Sequence, residues 1–160
     1  MISENISLKP FNTFGIDVKT KYFSTFSSVE ELKIVLDANR NVPLLILGGG
    51  SNLLLTKDFD GLVLKNEIRG IEIVSEDENE VVIRSGAGEV WHDFVLFCIS
   101  KGFSGVENLS LIPGSVGASP MQNIGAYGVE IKNVFEKLEA MEIATGEIHT
   151  YNNAECEFGY

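Results

Sequence analysis

The residues of this chain best able to do chemistry are glycines and small polar groups, and they fall in two clusters. The first is Gly48-Gly49-Gly50-Ser51-Asn52, directly after the apolar run Leu44-Leu45-Ile46-Leu47. The second covers residues 111–128, LIPGSVGASPMQNIGAYG, with four glycines and two prolines in eighteen positions. Glycine permits backbone angles and close approaches that a Cβ blocks. Proline fixes φ and removes a donor. A segment rich in glycine that also carries Ile112, Val116, Met121 and Ile124 is not composed like a flexible linker. It reads as an ordered loop whose backbone N–H groups face a ligand. Successive N–H groups in a glycine turn converge on an oxyanion, and Ser51 and Asn52 add side-chain donors. A charge-assisted hydrogen bond contributes about 1.5–3 kcal/mol, so three or four offset much of the cost of holding a diphosphate. Taken alone, the first cluster reads equally as a tight β-turn. The second adds neutral donors and acceptors (Ser115, Ser119, Gln122, Asn123) beside apolar surface (Ile112, Val116, Met121, Ile124). Neutral polar groups among apolar walls suit a flavin, whose ring edge takes hydrogen bonds and whose faces take packing.

Established nucleotide fingerprints are missing. No Gly-x-x-x-x-Gly-Lys-Ser/Thr loop occurs. Residues 48–53 fail the Gly-x-Gly-x-x-Gly pattern at its sixth position, Leu53, and Leu54-Leu55-Thr56-Lys57-Asp58 reads as strand and turn rather than an opening helix. Cys98 and Cys156 match no metal spacing and read as reduced thiols. The acidic run Glu76-Asp77-Glu78-Asn79-Glu80 reads as a solvated hairpin tip, because like charges without a histidine prefer water. His92 has no partner at ligand spacing and reads as a surface or packed histidine. His149 reads as a strand residue.

The elements that must carry these loops follow from periodicity. Ser28-Val29-Glu30-Glu31 is a capping-box signature, and Val29, Leu32, Val35 and Leu36 then follow helical spacing, predicting a helix over 29–39. Residues 44–47 and 61–64 read as short buried strands. From Ile71 the pattern alternates, giving a hairpin of 71–74 with 81–84. Residues 89–101 read as a helix with Trp91, Phe94, Val95 and Cys98 on one stripe and Gly102 as its stop. Residues 138–143 and 147–151 read as a hairpin around Ala144-Thr145-Gly146. A shift in composition near 65–70 divides the chain into 1–67 and 68–160.

The formal net charge of the 160 residues is −11, which argues against a nucleic-acid footprint. It also sets a tension, since the global field repels a diphosphate. Salt screens that field beyond about 8 Å, so local dipoles must supply the attraction. No basic and apolar leader opens the chain, and no apolar run approaches the ~20 residues of a membrane span. A cytoplasmic protein without membrane or nucleic-acid partners is expected.

Six segments carry a family resemblance: Ser7-Leu8-Lys9-Pro10-Phe11-Asn12-Thr13-Phe14-Gly15-Ile16, Leu47-Gly48-Gly49-Gly50-Ser51-Asn52, Gly86-Ala87-Gly88-Glu89, Gly105-Val106-Glu107-Asn108-Leu109, Ile112-Pro113-Gly114-Ser115-Val116-Gly117-Ala118 and Gln122-Asn123-Ile124-Gly125-Ala126-Tyr127-Gly128. Together they resemble the UDP-N-acetylenolpyruvoylglucosamine reductase family, in its longer, type I branch. The resemblance runs along the whole chain, in order, over about half of a family member. It implies an α+β fold of the vanillyl-alcohol-oxidase / p-cresol-methylhydroxylase type, with two subdomains, 1–67 and an incomplete 68–160, clasping FAD. By this similarity Leu47, Gly48, Gly49, Gly50, Ser51, Asn52 and Leu53 hold the pyrophosphate. Ile112, Pro113, Gly114, Ser115, Ala118, Ser119, Met121, Asn123, Ile124 and Gly125 line the flavin. Tyr127 and Tyr160 match positions near the substrate, UDP-N-acetylglucosamine enolpyruvate. Family members pass a hydride from NADPH to the flavin and on to the enolpyruvyl group. The family's catalytic arginine follows the Phe-Gly-Tyr with which these residues end, and its serine and glutamate come later, as does a third, substrate-binding domain. No catalytic residue is therefore carried over, and these residues alone are expected to be inactive. A monomer is expected. Another FAD-dependent oxidase or dehydrogenase of this fold, and a non-catalytic nucleotide-binding module, remain as alternatives.

Overall fold

The computed structural model describes residues 2–159, and it is α+β. Five elements open the chain: β1 (Ser3–Ser7), β2 (Lys19–Phe26), α1 (Val29–Ala38), β3 (Leu44–Leu47) and β4 (Phe59–Asn66). The strands form one sheet in the order β1-β2-β4-β3. β1 runs antiparallel to β2, while β4 is parallel to both β2 and β3. Residues 61–64 of β4 are all buried, as a central strand covered on both faces must be. Alternate side chains serve opposite faces. Leu62 and Leu64 pack with Phe26 under Leu32, Val35 and Leu36 of α1. Val63 packs with Phe23 and Leu47 under Leu8 and Val18.

α1 starts where its cap dictates. The Ser28 hydroxyl accepts the Glu31 amide at 3.1 Å, and the Glu31 carboxylate reaches back to the Ser27 amide at 2.7 Å and hydroxyl at 2.8 Å. Those bonds, the Ser27 amide first, hold Glu31 below the usual carboxylate range. The helix closes at Ala38, one residue short of the periodic pattern. β1 and β2 have no counterpart in the sequence expectation. β2 buries Thr20 and Ser24 beside Phe23 and Phe26, and the Thr20 hydroxyl lies 2.9 and 3.1 Å from the Tyr22 and Gly61 carbonyl oxygens.

The remaining elements are the antiparallel pairs β5 (Ile71–Glu76) with β6 (Val81–Ser85), β7 (Gly125–Ala126) with β8 (Val129–Glu130), and β9 (Lys137–Met141) with β10 (Ile148–Asn152), plus the helix α2 (Trp91–Ser100). Trp91, Val95 and Cys98 of α2 form a second core with Val106, Leu109 and Ile131. The helix ends in a Schellman motif: the Gly102 amide (φ +78°) donates to Ile99 and the Phe103 amide to Cys98. Its start falls two residues later than the periodicity gives. Glu89 lies in a bend, and Val90 is extended and bridges to Ser115. The acidic tip is a turn in which Asp77 accepts the Asn79 and Glu80 amides, bonds that hold its carboxyl low. Cys98 is a buried free thiol and Cys156 a half-buried one, both pushed up mainly by burial.

A connector, 66–70, joins the sheet to β5. The Glu67 amide donates to Phe26, and the Gly86 and Gly88 amides donate to Gly70 and Ile68. A Cβ at Gly88 would lie 2.8 Å from both Glu67 Cα and the Ile68 nitrogen, so the connector lies flat against 86–88.

Candidate functional site

β3 ends at Leu47 and the chain turns at once through Gly48, Gly49 and Gly50. This turn stands at the carboxyl end of a parallel strand, the edge of an open sheet where ligands bind. The β3–β4 register sets Leu47 opposite Lys65, so Lys65 and Asn66 flank the turn. From the amino-terminal loop, Thr13 holds the turn's far side. Its amide donates to the Gly50 carbonyl at 3.2 Å and its hydroxyl to Ser51 at 3.4 Å. The loop is stiffened by buried Asn12, whose amide nitrogen donates to Leu8 and Ile16 while its oxygen accepts the Ile16 amide.

The second glycine segment meets the first here. A Cβ on Gly49 would lie 2.9 Å from Gly114 Cα, one on Gly48 2.6 Å from the Ser115 hydroxyl, and one on Gly114 3.3 Å from the Ser51 hydroxyl. Gly50, at φ +65°, has the Phe11 carbonyl where a Cβ would go. Close packing of three loops therefore accounts for the glycines. Their amides are a separate matter. Among the described residues, the N–H groups of Gly49, Gly50, Ser51 and Asn52 have no backbone or side-chain acceptor, nor do those of Gly114 and Ser115. Six unpartnered amides in two adjoining loops, three of them (Gly49, Gly114 and Ser115) at residues lining the cleft between the loops, could bind an anion.

The cleft between these loops has a volume of about 190 Å³ and is lined by Phe11, Gly49, Lys65, Arg69, Val90 and Ser115 among others. Two of the chain's twelve basic side chains therefore face it. Each is held by a carboxylate, Lys65 by Glu67 at 2.7 Å and Arg69 by Glu89 at 3.1 Å. Glu89 also accepts the Gly70 amide at 2.7 Å. That bond first, then Arg69, keeps its carboxyl below the ordinary range. Lys65 and Arg69, which line the cleft, are not among the sequence candidates; Thr13 and Glu89 lie in segments that carry the resemblance but are given no role by it. Nothing in the local pattern of Lys65 and Arg69 marks them; only strand register and the connector's path bring them in.

The expected flavin-lining residues divide. Gly114 and Ser115 border the cleft. Ile112, Val116 and Ile124 pack against the second core. The amides of Val116, Gly117, Ala118, Ser119, Asn123 and Ile124 are all engaged within the protein. Buried Asn123, at φ +43°, donates to Glu130 at 2.8 Å and accepts the Lys132 amide at 3.3 Å. With Lys132, it holds Glu130 low. Met121 and Tyr127 project into solvent, Tyr127 at 90% exposure on the β7–β8 turn with φ +53°. Tyr160 lies outside the described residues. Away from the cleft, His149 stands 3.8 and 3.9 Å from Glu142 and Glu147 across the β9–β10 turn, all three exposed.

A sheet edge, two basic side chains and a neighbouring glycine loop therefore line one cleft. The family model described as FAD binding domain matches residues 20–152, and the chain belongs to that family. The donor set suits its cofactor: unpartnered amides and guanidinium or ammonium groups for the diphosphate, and Phe11 and Val90 as apolar surface. Over 99% of its length the chain is 56% identical to UDP-N-acetylenolpyruvoylglucosamine reductase of Flavobacterium johnsoniae, covering 47% of that protein. It is 53% identical to the reductase of that name from Pseudomonas putida, over 98% of this chain and 47% of the relative. All of the chain superposes on 56% of the crystal structure of UDP-N-acetylenolpyruvylglucosamine reductase from Thermus caldophilus, with a TM-score of 0.78 at 29% identity. The chain spans about half the length of the curated relatives it matches.

Proposed function

We propose that this chain is the flavin-binding part of a UDP-N-acetylenolpyruvoylglucosamine reductase. Its division at 67/68 puts the sheet and first glycine turn on one side of FAD and the second glycine segment on the other. Gly49, Gly50, Ser51 and Asn52 hold the diphosphate from one wall, Gly114 and Ser115 from the other, with Lys65 and Arg69 supplying positive charge. This resolves the conflict between a −11 chain and an anionic cofactor. Within a few ångströms, fixed dipoles outweigh a distant, screened field, and Lys65 and Arg69, each also paired with a carboxylate, add donors. Bound FAD would supply hydride transfer from NADPH to the enolpyruvyl group of UDP-N-acetylglucosamine enolpyruvate, a step of peptidoglycan precursor synthesis in the cytoplasm. The chain's own residues bind and orient it. Leu47 and Leu53 seat the first turn on the sheet core. Pro113 and Ala118 shape the second segment, Ser119 and Asn123 fix it internally, and Ile112 and Ile124 anchor it in the second core. Met121, Gly125 and Tyr127 lie on its outer side, where substrate can meet them.

The observation that carries this reading is the set of six unpartnered amides in two adjoining loops, three of them at residues that line the cleft between the loops (Gly49, Gly114 and Ser115). Glycine content alone would not carry it, because loop packing already requires those glycines. Equilibrium dialysis against FAD is the test. One FAD per chain is expected, without turnover of NADPH by these 160 residues. Failure to retain FAD at tens of micromolar would overturn it.

A further inference from the structure

Three nearby residues, Glu89, Trp91 and His92, hold the start of the second glycine segment. The Val116 amide donates to the Glu89 carbonyl at 2.9 Å, and the Trp91 amide to the Gly114 carbonyl at 3.0 Å. Trp91 Nε1 donates to the Leu109 carbonyl at 2.8 Å. The fourth bond differs in kind: the Leu111 amide donates to His92 Nδ1 at 3.2 Å. Leu111 sits at φ +63° with its side chain 76% exposed. A branched apolar residue is strained there, and with that exposure packing does not hold it. The imidazole does. The turn it fixes lies three and four residues before the two unpartnered amides of this segment, at Gly114 and Ser115. Neutral imidazole with its proton on Nε2 is the form that can accept at Nδ1.

We infer that His92 is a positioning residue for the flavin diphosphate, its Nδ1 pinning the Leu111 turn so that the Gly114 and Ser115 amides face the cleft. This rests on the flavin reading above. An accepting atom is what the turn needs, and asparagine places Oδ1 close to where histidine has Nδ1. The test compares wild type with His92→Ala, His92→Phe and His92→Asn, reading FAD affinity by dialysis and Leu111 amide exchange by NMR. A neutral hydrogen bond corresponds to about a fivefold change in an equilibrium constant. His92→Ala and His92→Phe are expected to raise Kd and Leu111 exchange about fivefold, and His92→Asn to restore both to within about twofold of wild type. Unchanged Leu111 exchange in His92→Ala, or an equal loss in His92→Asn, would overturn the inference. If wild type retains no FAD, the flavin reading fails by itself, and the exchange pattern still decides whether His92 pins the turn.

Discussion

Gly50 is where the geometry makes its sharpest demand. Its φ is +65°, and a Cβ there would lie 3.0 Å from the Phe11 carbonyl carbon and 3.2 Å from Asn12 Cα, with the carbonyl oxygen closer still. Two costs add in Gly50→Ala. Left-handed backbone costs an alanine about 1 kcal/mol relative to glycine. Forcing backbone apart in a packed site costs a further 1–3 kcal/mol or so. The Phe11 loop is not free to yield, because Asn12 and Thr13 bind it on both sides. The sum, about 2–4 kcal/mol, corresponds to a drop in melting temperature of roughly 5–15 °C for a chain of this size. Gly102 provides the control. Its φ is +78°, but nothing lies within 4 Å of its Cβ position, so Gly102→Ala carries the backbone term alone, about 2–4 °C. Thermal melts of both variants, followed by circular dichroism, are the assay. Equal melting temperatures would refute the argument that three-loop packing, rather than backbone angle, fixes glycine at position 50. The same contact predicts that the change, by displacing the turn against Phe11, weakens FAD binding.

Other consequences follow from single contacts. Trp91→Phe leaves the buried Leu109 carbonyl without its indole donor and is expected to cost about 1–3 kcal/mol in urea unfolding; a loss under 0.5 kcal/mol or so would contradict that bond. Leu64→Ala, at a fully buried position under α1, should lose about 2–5 kcal/mol, with Leu54→Ala, 64% exposed, nearly silent in the same melts. Glu89 has its folded pKa lowered from 4.5 by the Gly70 amide and Arg69. Its contribution is therefore complete above the unfolded value and fades as the pH drops below about 4.5 toward the folded one. Glu89→Gln should flatten the stability profile across that acid window, and an unaltered profile would show that the carboxylate is not a linked group. Arg69→Ala should raise the Kd for FAD and reduce its dependence on salt, whereas Arg84→Ala, at the exposed β5–β6 hairpin, should do neither.

Much of this molecule could be read from local pattern, and the exceptions share a physical cause. α1 announced itself because Ser28 and Glu31 cap it and Leu32, Val35 and Leu36 recur on one face. The hairpins β5–β6 and β9–β10 showed because they alternate around polar turns. β2 did not show, because a central strand buries on both faces and this one buries two hydroxyl residues, Thr20 and Ser24, whose signal looks polar. The glycine turns were legible as special backbone, yet the sequence could not separate two reasons for glycine. Loop contact explains Gly48, Gly49 and Gly50, while the ligand argument belongs to the amides. The second segment looked uniformly ligand-facing, but residues 116–124 direct most of their amides inward. Lys65 and Arg69 were invisible because each sits among nearby carboxylates, and only the β3–β4 register and the connector bring them to the glycine turn.

The proposed flavin site depends on main-chain amides from two loops gripping one diphosphate. Titrating the ¹⁵N-labelled chain with FAD, and separately with riboflavin, which lacks the phosphates, addresses this directly. The account predicts that FAD shifts the amide resonances of Gly49, Gly50, Ser51, Asn52, Gly114 and Ser115 together, while riboflavin binds more weakly and leaves them in place. Saturable FAD binding with those six resonances unmoved, or riboflavin binding as tightly as FAD, would contradict it.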